Sequence, residues 1–130
     1  MARILIVDDS GLSRRIMRGI LETAGHLVAE AVDGISALEM YFLDKPDLVV
    51  LDLTMTGMHG LDVLAQLRRL DSQARVVVAT ADIQSSSQDM TREAGAVGFI
   101  SKPFVADKVL AVVNAALLEE ADHDPDREAT

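Results

Sequence analysis

Cysteine is absent from the 130 residues, which excludes disulfides and thiolate chemistry and fits a reducing compartment. No apolar run approaches the ~20 residues that a membrane-spanning helix needs. The opening stretch Met1–Val7 runs straight into Asp8 and Asp9. It is too short for a signal-peptide core and no small-residue cleavage site follows, so a cytoplasmic location is expected. Positive charge is scarce: 12 Lys and Arg stand against 21 Asp and Glu, a net charge of −9. That balance argues against non-specific nucleic-acid binding by this domain. Aromatic residues make up only 3%, leaving little to sandwich a flat cofactor. What the chain does have is apolar content, 49%, which fits a folded domain rather than disorder. A chain of this size buries roughly two-thirds of its unfolded surface, enough for a core without staples.

Five short segments rich in aliphatic and β-branched residues recur: Ile4–Val7, Leu27–Val32, Leu48–Leu51, Val76–Ala79 and Val97–Ile100. Three are continuous apolar runs, as strands buried on both faces of a parallel sheet should be. The second and fifth are less apolar, as suits edge strands. Helical spacing lies between them. Leu12, Ile16 and Ile20, with Met17, Leu21 and Ala24, form one stripe, and Gly25 follows where a helix end favours a left-handed residue. Ile35, Leu38, Tyr41 and Phe42 mark a second helix, closed by Lys45-Pro46. Leu61, Leu64 and Leu67 mark a third. The stretch Ile83–Ala94 is serine-rich and poorly anchored, which predicts a loosely packed fourth helix. A fifth runs from about Val105 to Glu119 with Val109, Val112, Val113, Ala116 and Leu117 inward. Strand–helix alternation predicts an α/β doubly wound sheet with right-handed crossovers. Residues 1–120 form the domain, and 121–130 form a polar tail or the start of a linker.

The polar residues fall at strand ends. Asp8 and Asp9 follow the first strand, Asp52 closes the third, Thr80 the fourth, and Lys102-Pro103 the fifth. The carboxyl edge of an open parallel sheet is where ligands bind. Were the first and third strands neighbours, Asp8, Asp9 and Asp52 would share one pocket. Two like charges ~4 Å apart repel by about 4 kcal/mol at an effective dielectric near 20, so a cation is needed. Oxygen-only ligands without cysteine or a histidine pair point to Mg2+ or Mn2+ rather than zinc. A Thr80 hydroxyl and a Lys102 ammonium suit phosphate. A carboxylate can itself attack phosphorus, giving an aspartyl phosphate, and needs no general base because it is already ionised.

Together these residues resemble the receiver domain of two-component response regulators, over about Ala2 to Leu118. The landmarks are Ile-Val-Asp8-Asp9-Ser, Val-Leu-Asp52-Leu, Gly60, Ala-Thr80-Ala81 and Ser-Lys102-Pro103-Phe104. The resemblance implies a five-stranded parallel sheet in the flavodoxin-like, CheY-like order 2-1-3-4-5, a three-layer sandwich. It implies Asp52 as phosphoacceptor, Asp9 as direct metal ligand, Asp8 as a ligand through water, and the Thr54 backbone carbonyl as a further ligand. It implies phosphate-sensing roles for Thr80 and Lys102, a rotamer switch at Phe99, and a cis bond before Pro103. The implied partners are a sensor histidine kinase or phosphotransfer protein, and a downstream protein target on the face of helix 4, strand 5 and helix 5. A monomer or a phosphorylation-dependent dimer fits, with no direct nucleic-acid binding and no membrane insertion. The family promotes its own phosphorylation and dephosphorylation rather than turning over external substrates. No DNA-binding segment follows, which favours a stand-alone regulator.

Two positions depart from the family pattern: Met55-Thr56 stands where Met-Pro is common, and His59 where Asp or Asn is common. Both bear on the lifetime of the phosphorylated state, as does Asp82, two residues after Thr80. The rival readings are an aspartyl phosphatase, whose two aspartates would be separated by one residue, a flavin-binding module, and a degenerate receiver that binds partners without phosphorylation. Asp8 and Asp9 could also serve merely as helix caps. Arg14, Arg15 and Arg18 read as a solvated face or a docking surface for an acidic or phosphorylated partner.

Overall fold

The computed structural model describes residues 1–54, 60–81 and 85–118. The strands are β1 (Arg3–Val7), β2 (Leu27–Ala31), β3 (Leu48–Asp52), β4 (Val76–Thr80) and β5 (Gly98–Ser101). The helices are α1 (Gly11–Thr23), α2 (Gly34–Asp44), α3 (Gly60–Leu70), α4 (Ser85–Glu93) and α5 (Ala106–Leu118). The strands form one parallel sheet in the order β2-β1-β3-β4-β5, so the two less apolar strands lie at its edges. Met55-Thr56, His59, Asp82 and the tail at 121–130 lie outside the described residues.

Alternate residues of each strand face opposite layers. Leu5, Val7, Val49, Leu51, Val76 and Val78 meet Ala37 and Tyr41 of α2 and Val63, Leu64 and Leu67 of α3. Ile4, Ile6, Leu48, Val50, Val77 and Ala79 meet Met17 and Leu21 of α1 and Val109, Val113 and Ala116 of α5. β3 and β4 are buried at every residue, which is why their sequences read as unbroken apolar runs.

Two helices turn differently from the predicted stripes. In α1 the inward ridge is Met17 and Leu21, while Leu12 and Ile16 are 67% and 43% exposed. In α2 the inward face is Gly34, Ala37 and Tyr41, while Ile35 and Phe42 are 62% and 68% exposed. Leu38 and Met40, half-buried, pack against the edge of the same cluster. Helix ends follow local chemistry. Ser10 caps α1, its Oγ accepting from the Ser13 amide at 3.2 Å, and Asp33 caps α2 by accepting from the Ser36 amide at 2.8 Å. Ser10, rather than Asp8 or Asp9, is thus the N-cap residue of α1. Gly25 adopts φ +91 just after the α1 C-cap, as expected.

Candidate functional site

The carboxyl ends of β1, β3, β4 and β5 meet at one edge. Val7 pairs with Leu51, and Asp52 with Ala79, so Asp8 and Asp52 lie at adjacent strand ends. Thr80 pairs with Ser101, and the Lys102 amide donates to the Thr80 carbonyl at 2.9 Å, bringing the fifth strand's lysine alongside. The Lys102–Pro103 peptide is cis.

Asp8, Asp9 and Asp52 each place a carboxylate oxygen within 4.8 Å of the others. Asp8 and Asp52 are buried and Asp9 is exposed, so the cluster is walled on two sides and open on the third. The Asp8 carboxylate accepts from the Ser10 amide at 2.9 Å and from Lys102 Nζ at 3.2 Å. Asp52 Oδ2 lies 3.6 Å from the same Nζ. Asp52 Oδ1 accepts from the Thr54 amide at 3.2 Å and from Thr54 Oγ1 at 2.9 Å. The family resemblance singles out the Thr54 backbone carbonyl; in the structure its amide and hydroxyl are what hold the carboxylate. Thr80 is buried at the end of β4, and Phe99 is half-buried on β5, packed against the α2–α3 side of the core.

One lysine lies between the two buried carboxylates, Asp8 and Asp52. Burial raises the Asp8 carboxyl above its ordinary range, and the Asp52 charge adds to this; the Ser10 amide and Lys102 pull the other way without cancelling it. The donor set is all oxygen, is partly buried and carries surplus negative charge, which fits a hard divalent cation. In metal-free protein, Asp8→Asn should therefore raise stability. Repulsion at ~5 Å is about 3 kcal/mol at an effective dielectric of 20, and the lost pairing with Lys102 offsets much of it, leaving about 1 kcal/mol. The sign follows from linkage: a carboxyl raised on folding loses stability as pH rises from its unfolded value to its folded one. The advantage of the Asp8→Asn variant should accordingly appear over that interval and persist above it. Urea unfolding in chelator at pH 4 and pH 7 checks this; an advantage at pH 4 equal to that at pH 7 would contradict it.

The arginines of α1 correct the sequence reading. Arg14 and Arg18 both pair with Glu30 of β2, at 2.9 and 2.6 Å, and Arg18 also pairs with Glu22 at 3.0 Å. These hydrogen bonds hold the Glu30 carboxyl below its usual range. Of the three, Arg15 remains exposed. This pairing left no sequence signal, because Glu30 is contributed by the neighbouring strand.

A doubly wound sheet whose carboxyl edge gathers three aspartates, a lysine and a buried threonine defines a receiver of two-component signalling. The chain belongs to the response regulator receiver domain family, whose model matches residues 4–114. It is 43% identical over 116 residues to the chemotaxis protein CheY of Bacillus subtilis, covering 88% of this chain and 97% of that one. It is 38% identical over 113 residues to CheY of Thermotoga maritima, covering 86% and 94%. Among solved structures, a LuxR-family two-component response regulator from Aurantimonas sp. superposes with a TM-score of 0.87 at 31% identity, covering 99% of this chain and 94% of that one. Among the described residues, no helix is long and apolar enough to cross a membrane.

Proposed function

We propose that this chain accepts a phosphoryl group on Asp52 from a phosphohistidine of a sensor kinase or phosphotransfer protein. The observation that carries this is the gathering of Asp8, Asp9, Asp52 and Lys102 at one point of the sheet edge. An Asp52 carboxylate oxygen attacks phosphorus, forming an O–P bond as the P–N bond to the donor histidine breaks and the imidazole departs. The Thr54 amide and hydroxyl hold one Asp52 oxygen, which fixes the rotation of the carboxylate. Lys102 moves its charge from the carboxylates toward the incoming phosphoryl oxygens. A divalent cation held by Asp8, Asp9 and Asp52, Mg2+ or Mn2+ on the donor chemistry, supplies neutralisation of the carboxylates and the phosphoryl group. Hydrolysis later breaks the O–P bond, returning Asp52 and inorganic phosphate.

A phosphoryl oxygen draws in the Thr80 hydroxyl, Phe99 follows, and the face of α4, β5 and α5 changes. A groove of about 730 Å³ on that face is lined by Phe99, Lys102, Pro103, Val105, Lys108 and Val112, a mixture suited to a protein partner.

Incubation with Mg2+ and acetyl phosphate should add one phosphoryl group by intact mass, with none added in Asp52→Asn or in chelator. The same sample should show altered amide exchange across Ser85–Glu93. Absence of incorporation in the wild-type chain would leave the phosphorylation-independent binding module instead.

A further inference from the structure

Arg14 is a charged residue in contact with the backbone of the site, and the chemistry above does not use it. Its Nη1 donates to the Asp8 carbonyl oxygen at 2.8 Å, and its Nε donates to Glu30 Oε1 at 2.9 Å. One guanidinium thus bridges the backbone of a site aspartate and a carboxylate on the neighbouring strand. Its fixed fork is well suited to this, since both donors are held in one plane. The anchor is itself held: Arg18 Nε donates to the other Glu30 oxygen at 2.6 Å, and Glu30 lies opposite Ile6 of β1 in the sheet. The Arg14 side chain is only 19% exposed, so the bridge is partly shielded from water.

The Asp8 carbonyl shares a rigid peptide plane with the Asp9 amide. Holding that oxygen sets the direction in which Asp9 leaves the strand. The other side of Asp8 is already tied, since its amide donates to the Ala31 carbonyl at 3.2 Å. Its carboxylate is steadied by the Ser10 amide at 2.9 Å. Without Arg14, the link between the two aspartates would lose a side-chain restraint at the point where the chain leaves β1 for α1.

We propose that Arg14, anchored by Glu30, is a positioning residue that sets the Asp8–Asp9 peptide so that both carboxylates face one cation. This rests on reading the acidic trio as a metal site. A pure charge effect has the opposite sign: removing a positive charge beside a cation site should tighten metal binding. The two accounts therefore separate in a single measurement.

Mg2+ titrated into the full chain by calorimetry, without phosphodonor, provides it. Arg14→Met and Arg14→Lys should bind Mg2+ about tenfold more weakly, the scale typical of groups that orient metal ligands. Arg18→Met removes the other arm on Glu30 but no contact with Asp8, and should stay within about twofold of wild type. Arg14→Lys keeps the charge and most of the aliphatic stem, so it serves if the methionine variant folds poorly. In metal-free protein, the Asp9 and Ser10 amides should exchange about tenfold faster in Arg14→Lys than in Arg18→Met, which reports local opening directly. Wild-type binding with equal or tighter binding in the folded Arg14 variants would overturn the positioning role alone. Failure of the wild-type chain to bind Mg2+ at all would overturn the metal reading and this role with it.

Discussion

Replacing Lys102 by methionine should lower the stability of the metal-free protein by about 3 kcal/mol at neutral pH, the scale for stripping the partner from a buried ion pair. The Asp8 and Asp52 side chains are 4% and 2% exposed, and Lys102 Nζ is placed between them at 3.2 and 3.6 Å. Methionine roughly matches the length of the lysine stem, so little packing is lost and the change is mainly one of charge. The loss should shrink as pH falls, because a protonated Asp8 carboxyl needs no counter-charge. Millimolar Mg2+ should recover much of it, because a bound cation takes over the neutralisation. Urea unfolding in chelator, in Mg2+ and at acid pH gives all three comparisons. A cost independent of both pH and Mg2+ would mean that Lys102 acts through packing, and the crowded-carboxylate account would fail.

Gly60→Ala should be nearly as severe, costing about 2–3 kcal/mol, because an added Cβ meets backbone that cannot step aside. That atom would stand 2.6 Å from Leu53 Cα and 3.0 Å from the Asp52 carbonyl oxygen. The first turn of α3 therefore presses on the end of β3 where Asp52 sits. Relief requires moving either the helix or Asp52, so phosphoryl uptake from acetyl phosphate should slow by about tenfold or more, as ~1 Å misplacements can. Gly19 supplies the contrast. It lies inside α1 with nothing within 4 Å of an added Cβ. Gly19→Ala should stabilise by about 0.5–1 kcal/mol through helix propensity alone and leave uptake unchanged. Equal effects at the two glycines would refute the close-approach argument.

Most of the site was legible because its residues sit at the ends of strands, and these strands announce themselves. β3 and β4 are covered on both faces, so their apolar runs stop where the chain emerges at Asp52 and Thr80. What surrounds those residues was less legible. The Thr54 hydroxyl on Asp52 and the Ser10 amide on Asp8 are local, two residues away, and depend on turn geometry that composition does not encode. The Arg14–Glu30 bridge spans 16 residues and needs β2 beside β1 before it exists.

From the sequence alone came the alternation of strands and helices, the edge character of β2 and β5, and which polar side chains stand at the strand ends. Each of these depends on neighbours along the chain, where periodicity and polarity act directly. Tertiary structure decided which face of α1 and α2 turns inward, and that one lysine sits between the buried Asp8 and Asp52. It also decided that two arginines of a seemingly solvated face are bound to Glu30. A helix with apolar residues on several sides carries no local preference among them; the sheet's shape makes the choice. Charges likewise have no partners until the fold brings distant segments within a few ångströms, where Coulomb energy outweighs thermal motion.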